Sequence, residues 1–126
     1  MKQDLLGLKD LSAQQIKNIL AHAAEMKKVV LSDNKKIPNL QGKTVINLFY
    51  ENSTRTRMSF ELAAKYMSAN AANISSSGSS VAKGETLIDT AENLNAMGTD
   101  ILVMRHNMSG APHLLAPIIN ASVINA

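Results

Sequence analysis

The feature that most constrains the fold of this chain is an alternation of hydrophobic periods over residues 44–126. Residues 44–50 (TVINLFY) are β-rich and mostly apolar, as a strand buried on both faces is. Residues 53–68 then take helical spacing, with Met58, Leu62, Ala63 and Tyr66 available for an inner face. A weaker strand over 71–75 leads into a Ser/Gly-rich stretch at 76–84. A second helix follows over 85–97, with Leu87, Ala91, Leu94 and Met97 on one side and Gly98 as its stop. Residues 100–105 (DILVMR) form the clearest strand. A short helix at 112–118, interrupted by Pro117, and a fourth strand at 122–125 complete the pattern. Strands separated by helices cannot pair as hairpins. The pattern predicts an α/β fold: three layers, with a parallel four-stranded sheet, right-handed crossovers and flanking helices.

Ahead of this unit lies a helix with a marked start. Ser12 is its N-cap and Gln15 completes a capping box, with Leu11 and Ile16 spaced as a hydrophobic staple. Ile16, Ile19, Leu20, Ala23, Met26 and Val30 recur at helical spacing and predict an apolar face. Ser, Asp, Asn, Pro38 and Gly42 make 31–43 a loop. At 126 residues the chain has the length of one domain. Its 45% hydrophobic content is enough to fill a core.

Composition removes several classes of function. Aromatics are 3% of the chain and Trp is absent, so base-stacking platforms for nucleic acid are missing. The absence of Cys excludes disulfides, thiolate metal sites and a Cys nucleophile, and fits a reducing, cytoplasmic setting. No apolar run approaches a membrane span, and residues 1–10 lack the apolar core of a signal peptide. Residues 1–43 carry eight lysines against four acids, which reads as a solvated helix face rather than a nucleic-acid stripe. After residue 43 cations are scarce: Arg55, Arg57, Lys65, Lys83 and Arg105.

Parallel α/β sheets bind ligands beyond the carboxyl ends of their strands. That rule selects 51–57, 75–85 and 105–110, and four of those five cations fall there. Lys65, the exception, reads as helix surface. Ser53, Thr54, Arg55, Thr56 and Arg57 follow a buried strand and open a helix. Free N–H groups of a first turn attract anions, the hydroxyls add donors, and Arg55 adds a planar fork for phosphate or carboxylate. Two arginines in a first turn oppose the helix dipole unless an anion sits there. A simple cap with surface arginines is the alternative reading. The stretch 76–84 reads equally as a linker or as a lid bringing Ser79, Ser80 and Lys83 to an anion. Arg105 ends a strand at the same mouth. His106 reads as a neutral structural histidine, and His22 and His113 receive no role. Paired carboxylates, a metal-ligand cluster, a nucleophile elbow and the nucleotide-binding glycine loops are all missing from the sequence, so no metal or cofactor is expected.

The residues that converge on this mouth also form extended motifs. Phe49-Tyr50-Glu51-Asn52-Ser53-Thr54-Arg55-Thr56-Arg57-Met58-Ser59-Phe60-Glu61 resembles the carbamoyl-phosphate signature of the aspartate and ornithine transcarbamoylases. Residues 79–87 (SSVAKGETL) resemble the active-site loop of the aspartate branch, which Lys83 favours over the ornithine branch. Residues 100–106 (DILVMRH) resemble the next family motif.

The resemblance implies an enzyme that transfers the carbamoyl group of carbamoyl phosphate to L-aspartate, giving N-carbamoyl-L-aspartate for pyrimidine biosynthesis. It implies that Ser53, Thr54, Arg55, Thr56 and Arg105 bind carbamoyl phosphate, with Thr56 and Arg105 polarising its carbonyl. Ser79 and Lys83 are implied to serve the active site of a neighbouring subunit in a homotrimer. Lys83 and Arg105 would meet the aspartate carboxylates, Glu51 would help to close two domains, and Arg57 would support the site. Regulatory chains or other pathway enzymes are compatible partners; nucleic acid and membrane are not expected. Family members continue beyond residue 126 with a Gly-Asp-Gly segment, a His-Pro-x-Gln motif and an aspartate-binding domain. Residues 1–126 are thus expected to be a truncated carbamoyl-phosphate-binding domain, incapable of turnover alone. An ornithine transcarbamoylase and a non-catalytic phosphate-binding or oligomerisation module are the competing readings.

Overall fold

The computed structural model describes residues 2–75 and 86–126. Eight elements follow one another: α1 (Ala13–Leu31), β1 (Thr44–Phe49), α2 (Thr54–Tyr66), β2 (Asn70–Ser75), α3 (Leu87–Ala96), β3 (Ile101–Arg105), α4 (Ala111–Leu115) and β4 (Ser122–Asn125). The four strands form one parallel sheet in the order β2-β1-β3-β4. The expected architecture is present, with element ends shifted by at most three residues. α2 stops at Tyr66 rather than running on to 68, because Ser68 takes a left-handed conformation (φ 67) that turns the chain into β2. The short helix ends at Leu115, before Pro117 removes a backbone donor.

Side-chain alternation along β1 separates the two faces. Ile46 and Leu48 point to one side and pack with Leu102, Met104 and Val123 against Ala91 and Leu94 of α3 and Ala111 and Leu115 of α4. Val45 and Phe49 point to the other and meet Val103 together with Phe60 and Ala64 of α2. All five residues from Val45 to Phe49 are buried, as a strand covered by helices on both faces must be.

One buried position breaks the apolar pattern. Asn47 is fully buried in β1, and its Nδ2 donates to Asn73 Oδ1 on β2 at 2.9 Å, the residue in register with it. Asn73 in turn bonds the carboxylate of Glu61 on α2, which also accepts from Lys65 Nζ at 2.9 Å. A polar chain therefore ties β1, β2 and α2.

Two expectations for the amino-terminal region are corrected. The capping box of α1 is formed, with Gln15 N–H donating to Ser12 Oγ at 3.1 Å and Ser12 N–H donating to Gln15 Oε1 at 2.8 Å. Yet no residue of α1 is buried, and Ile19, Leu20 and Val30 are exposed. A cavity of about 500 Å³ lies beside the helix, bounded by Ile19, Leu11 and Leu5 and floored by Ile101 and Ile124. Nor is every early lysine solvated. Lys2 Nζ donates to the carbonyls of Ala116, Ile119 and Ala121 at 2.5, 2.8 and 2.8 Å. Asp4 accepts the Val123 N–H at 2.8 Å, and Leu5 bridges to Ile124 beside β4. Among the described residues no helix is long and apolar enough to cross a membrane.

Candidate anion site

The register of the sheet sets the site. Phe49 pairs with Ser75 on one side and Arg105 on the other, so β1, β2 and β3 end at one level. The segments leaving those ends are the ones that the carboxyl-end rule selected. The chain moves outward from β1 to β2 in one direction and from β3 to β4 in the other, so the connections diverge between β1 and β3. That divergence is where an open α/β sheet leaves a crevice.

Two cross-links bridge the crevice. Tyr50 N–H donates to the Arg105 carbonyl at 2.8 Å, extending the ladder one residue past β1. Beyond it, Arg105 Nη2 reaches Glu51 Oε1 at 3.4 Å, a long contact between side chains 30% and 46% exposed. Such an exposed pair is worth at most about 1 kcal/mol. Arg105 Nε is shielded from solvent and has no acceptor among the described residues. This guanidinium therefore holds donor capacity in reserve. Beside the pair, the rings of Tyr50 and His106 lie with centroids 4.6 Å apart at 36°.

The first turn of α2 completes the mouth. Ser53 occupies the N-cap position but makes no side-chain cap bond; its hydroxyl instead donates to Thr56 Oγ1 at 3.0 Å. The Ser53 side chain thus does not cap the helix, and the leading N–H groups of α2 keep their capacity to meet an anion. No acidic residue stands in that turn, whereas Arg55 and Arg57 do. Thr54 and Arg55 are exposed; Ser53, Thr56 and Arg57 are partly buried.

Ser79, Ser80 and Lys83 lie outside the described residues. His22 and His113 are exposed, and Lys65 pairs with Glu61 on the surface of α2. His106 is partly buried, and burial pushes its imidazole below the ordinary histidine value. Among the described residues no group of His, Asp and Glu is arranged to hold a metal ion. The site is a set of neutral and cationic donors around a crevice, suited to a small ligand carrying several negative charges.

The family model for the carbamoyl-phosphate-binding domain of aspartate and ornithine carbamoyltransferases matches residues 3–126. The chain belongs to this family. The aspartate carbamoyltransferase catalytic subunit of Acetivibrio thermocellus is 68% identical over 124 residues, 98% of this chain and 40% of that protein. That of Ruminiclostridium cellulolyticum is 65% identical over the same share. The chain thus spans 40% of the length of these carbamoyltransferase relatives. Among solved structures, the catalytic subunit of M. jannaschii aspartate transcarbamoylase superposes with TM-score 0.87 at 38% identity, covering 100% of this chain and 40% of that one. The Trypanosoma cruzi enzyme in complex with carbamoyl phosphate gives TM-score 0.88 at 29% identity over 98% of this chain and 40% of that one.

Proposed function

We propose that this chain supplies the carbamoyl-phosphate site of an aspartate carbamoyltransferase, acting in the cytoplasm as part of a homotrimer with shared active sites. The observation that carries the proposal is the union, at the carboxyl ends of β1 and β3, of an uncapped α2 first turn bearing Arg55 with an Arg105 guanidinium whose Nε has no acceptor among the described residues. Supporting it are the names of the relatives and the Trypanosoma cruzi complexes with carbamoyl phosphate and with aspartate.

In this reading Ser53, Thr54, Arg55 and the α2 N–H groups hold the phosphate. Thr56 and Arg105 face the carbamoyl oxygen. The aspartate amine attacks the carbamoyl carbon, a C–N bond forms and negative charge builds on the carbonyl oxygen. The C–O bond to phosphate then breaks, phosphate leaves with the bonding electrons, and the nitrogen sheds a proton. Donors aimed at that oxygen stabilise the transition state more than the ground state, each by roughly 3–4 kcal/mol. Both substrates are anions, and gathered cations offset the repulsion of bringing them together. Arg105 must turn from Glu51 toward the ligand, which the weakness of that pair permits; Glu51 is then free to act in domain closure. Lys83 and Ser79 act from a neighbouring subunit, with Lys83 approaching the aspartate carboxylates as a point charge.

Two measurements test this. Phosphate or carbamoyl phosphate raises the Tm of the chain, and Arg55→Ala removes the shift, since a charge-assisted contact worth roughly 1.5–3 kcal/mol corresponds to at least tenfold in affinity. Equal shifts in both proteins would contradict the α2 site. In the full-length protein, Arg55→Ala and Lys83→Ala subunits are each nearly inactive, but mixing them restores aspartate carbamoylation in hybrid trimers. No recovery despite confirmed subunit exchange would refute shared sites.

A further inference from the structure

The stretch between β3 and α4 carries a contact that the proposed reaction does not use. Met108 N–H donates to His106 Nδ1 at 2.9 Å, so the ring closes the turn with its own nitrogen. A backbone N–H can only point at a lone pair; the imidazole is therefore neutral with its proton on Nε2. The same ring rests on Tyr50. The pairs Tyr50–His106 and Glu51–Arg105 thus stand side by side across the crevice, one residue apart in each of the segments where β1 and β3 end.

We infer that neutral His106 is a positioning residue for the anion site: it locks the turn out of β3 and so aims the adjacent Arg105 guanidinium, and protonation of its ring releases both. The inference rests on the reading of this mouth as an anion site. The physics is a reversal of polarity. Protonated Nδ1 becomes a donor facing the Met108 N–H, so an attractive contact becomes a repulsive one. The turn must then open, and the ring must shift on Tyr50. Among the described residues, the other titratable or charged groups around this mouth are Tyr50 and Glu51 after β1, Arg55 and Arg57 on α2, Arg105 on β3 and His113 on α4. His113 is exposed. Burial favours the neutral His106 ring, so the change belongs below the ordinary histidine value of about 6.5.

The direction of the pH effect separates this role from a bystander histidine. A histidine that gains charge at the rim of an anion site strengthens anion binding by simple attraction. A positioning histidine weakens it. Inorganic sulfate is the probe, because its double charge is constant from pH 5 to 7.5. The measurement pairs calorimetric sulfate titrations with NMR titration of the ligand-free chain, following the His106 ring, the Met108 amide and the Arg105 Nε–H. Sulfate affinity is expected to fall about fivefold at pH 5. The three NMR signals are expected to move together with a midpoint below 6.5. His106→Asn, whose Oδ1 can accept the same N–H but cannot titrate, should keep full affinity at both pH values. His106→Gln, which places its polar atoms at the Nε2 position, should have the lower affinity at both. Affinity that rises on acidification, a ring that titrates without the Met108 and Arg105 signals, or equal behaviour of the Asn and Gln variants would overturn the inference. Absence of sulfate binding at pH 7.5 would count against the anion site itself, and the ligand-free NMR titration would still decide the role of His106.

Discussion

The Glu51–Arg105 pair combines weak geometry with an important place. At 3.4 Å and partly exposed, it is an ion pair that an incoming anion can displace. Phosphate and Glu51 compete for the same guanidinium, so Glu51→Gln should raise phosphate affinity about threefold, within the range for an exposed pair. Calorimetry on the two proteins checks this, and unchanged or weaker binding would show that Glu51 does not restrain Arg105. Arg55, Thr56 and Arg105 were legible as a group from sequence because cations are scarce after residue 43 and four of the five fall where strands end. Asn47 was not legible. It lies inside an apolar run, and its partner Asn73 is identified only by the register of β1 with β2. Asn47→Ala removes that part-buried bond and should cost about 0.5–1.5 kcal/mol in chemical denaturation.

At the level of elements, local signals carried furthest where they are chemical. The Ser12–Gln15 box defined the start of α1, and β1 and β3 were plain because burial on both faces favours near-continuous apolar runs. Helix ends were less legible, since a left-handed Ser68 is a tertiary choice that no turn residue announces. The helical period of α1 reported an apolar face without reporting what covers it, and in this chain that face is largely exposed. α2 carries a testable acid dependence. Bonds from Lys65 and Asn73, with Arg57 nearby, hold the Glu61 carboxyl below its ordinary value. A depressed carboxylate stabilises the fold fully above its unfolded pKa of about 4.3 and loses that contribution as pH falls through the folded pKa. Denaturation midpoints should therefore fall more steeply with acid in the parent than in Glu61→Gln; parallel curves would remove Glu61 from the account.

For the whole molecule, strand order decides the place of the crevice, and alternation alone leaves that order open. The β2-β1-β3-β4 arrangement puts the divergence of connections between β1 and β3, which is what brings Glu51, the α2 turn and Arg105 together. The amino terminus then fastens the far edge: Lys2 gathers three carbonyls from the connection between α4 and β4, and Asp4 and Leu5 bond to β4. A count of lysines could not reveal this, because those carbonyls come from residues more than a hundred positions away. Lys2→Met should lower stability by about 1.5–3 kcal/mol while leaving phosphate affinity unchanged, since the clasp and the crevice are on different strands.

The central claim is that anion recognition is built where β1 and β3 end. The most direct test is an NMR titration of this chain with carbamoyl phosphate, mapping amide and guanidinium shifts. The account predicts saturable perturbations concentrated at residues 51–57 and 105–110 and abolished by Arg55→Ala. Perturbations centred on the cavity beside α1, or a pattern unchanged in Arg55→Ala, would contradict it.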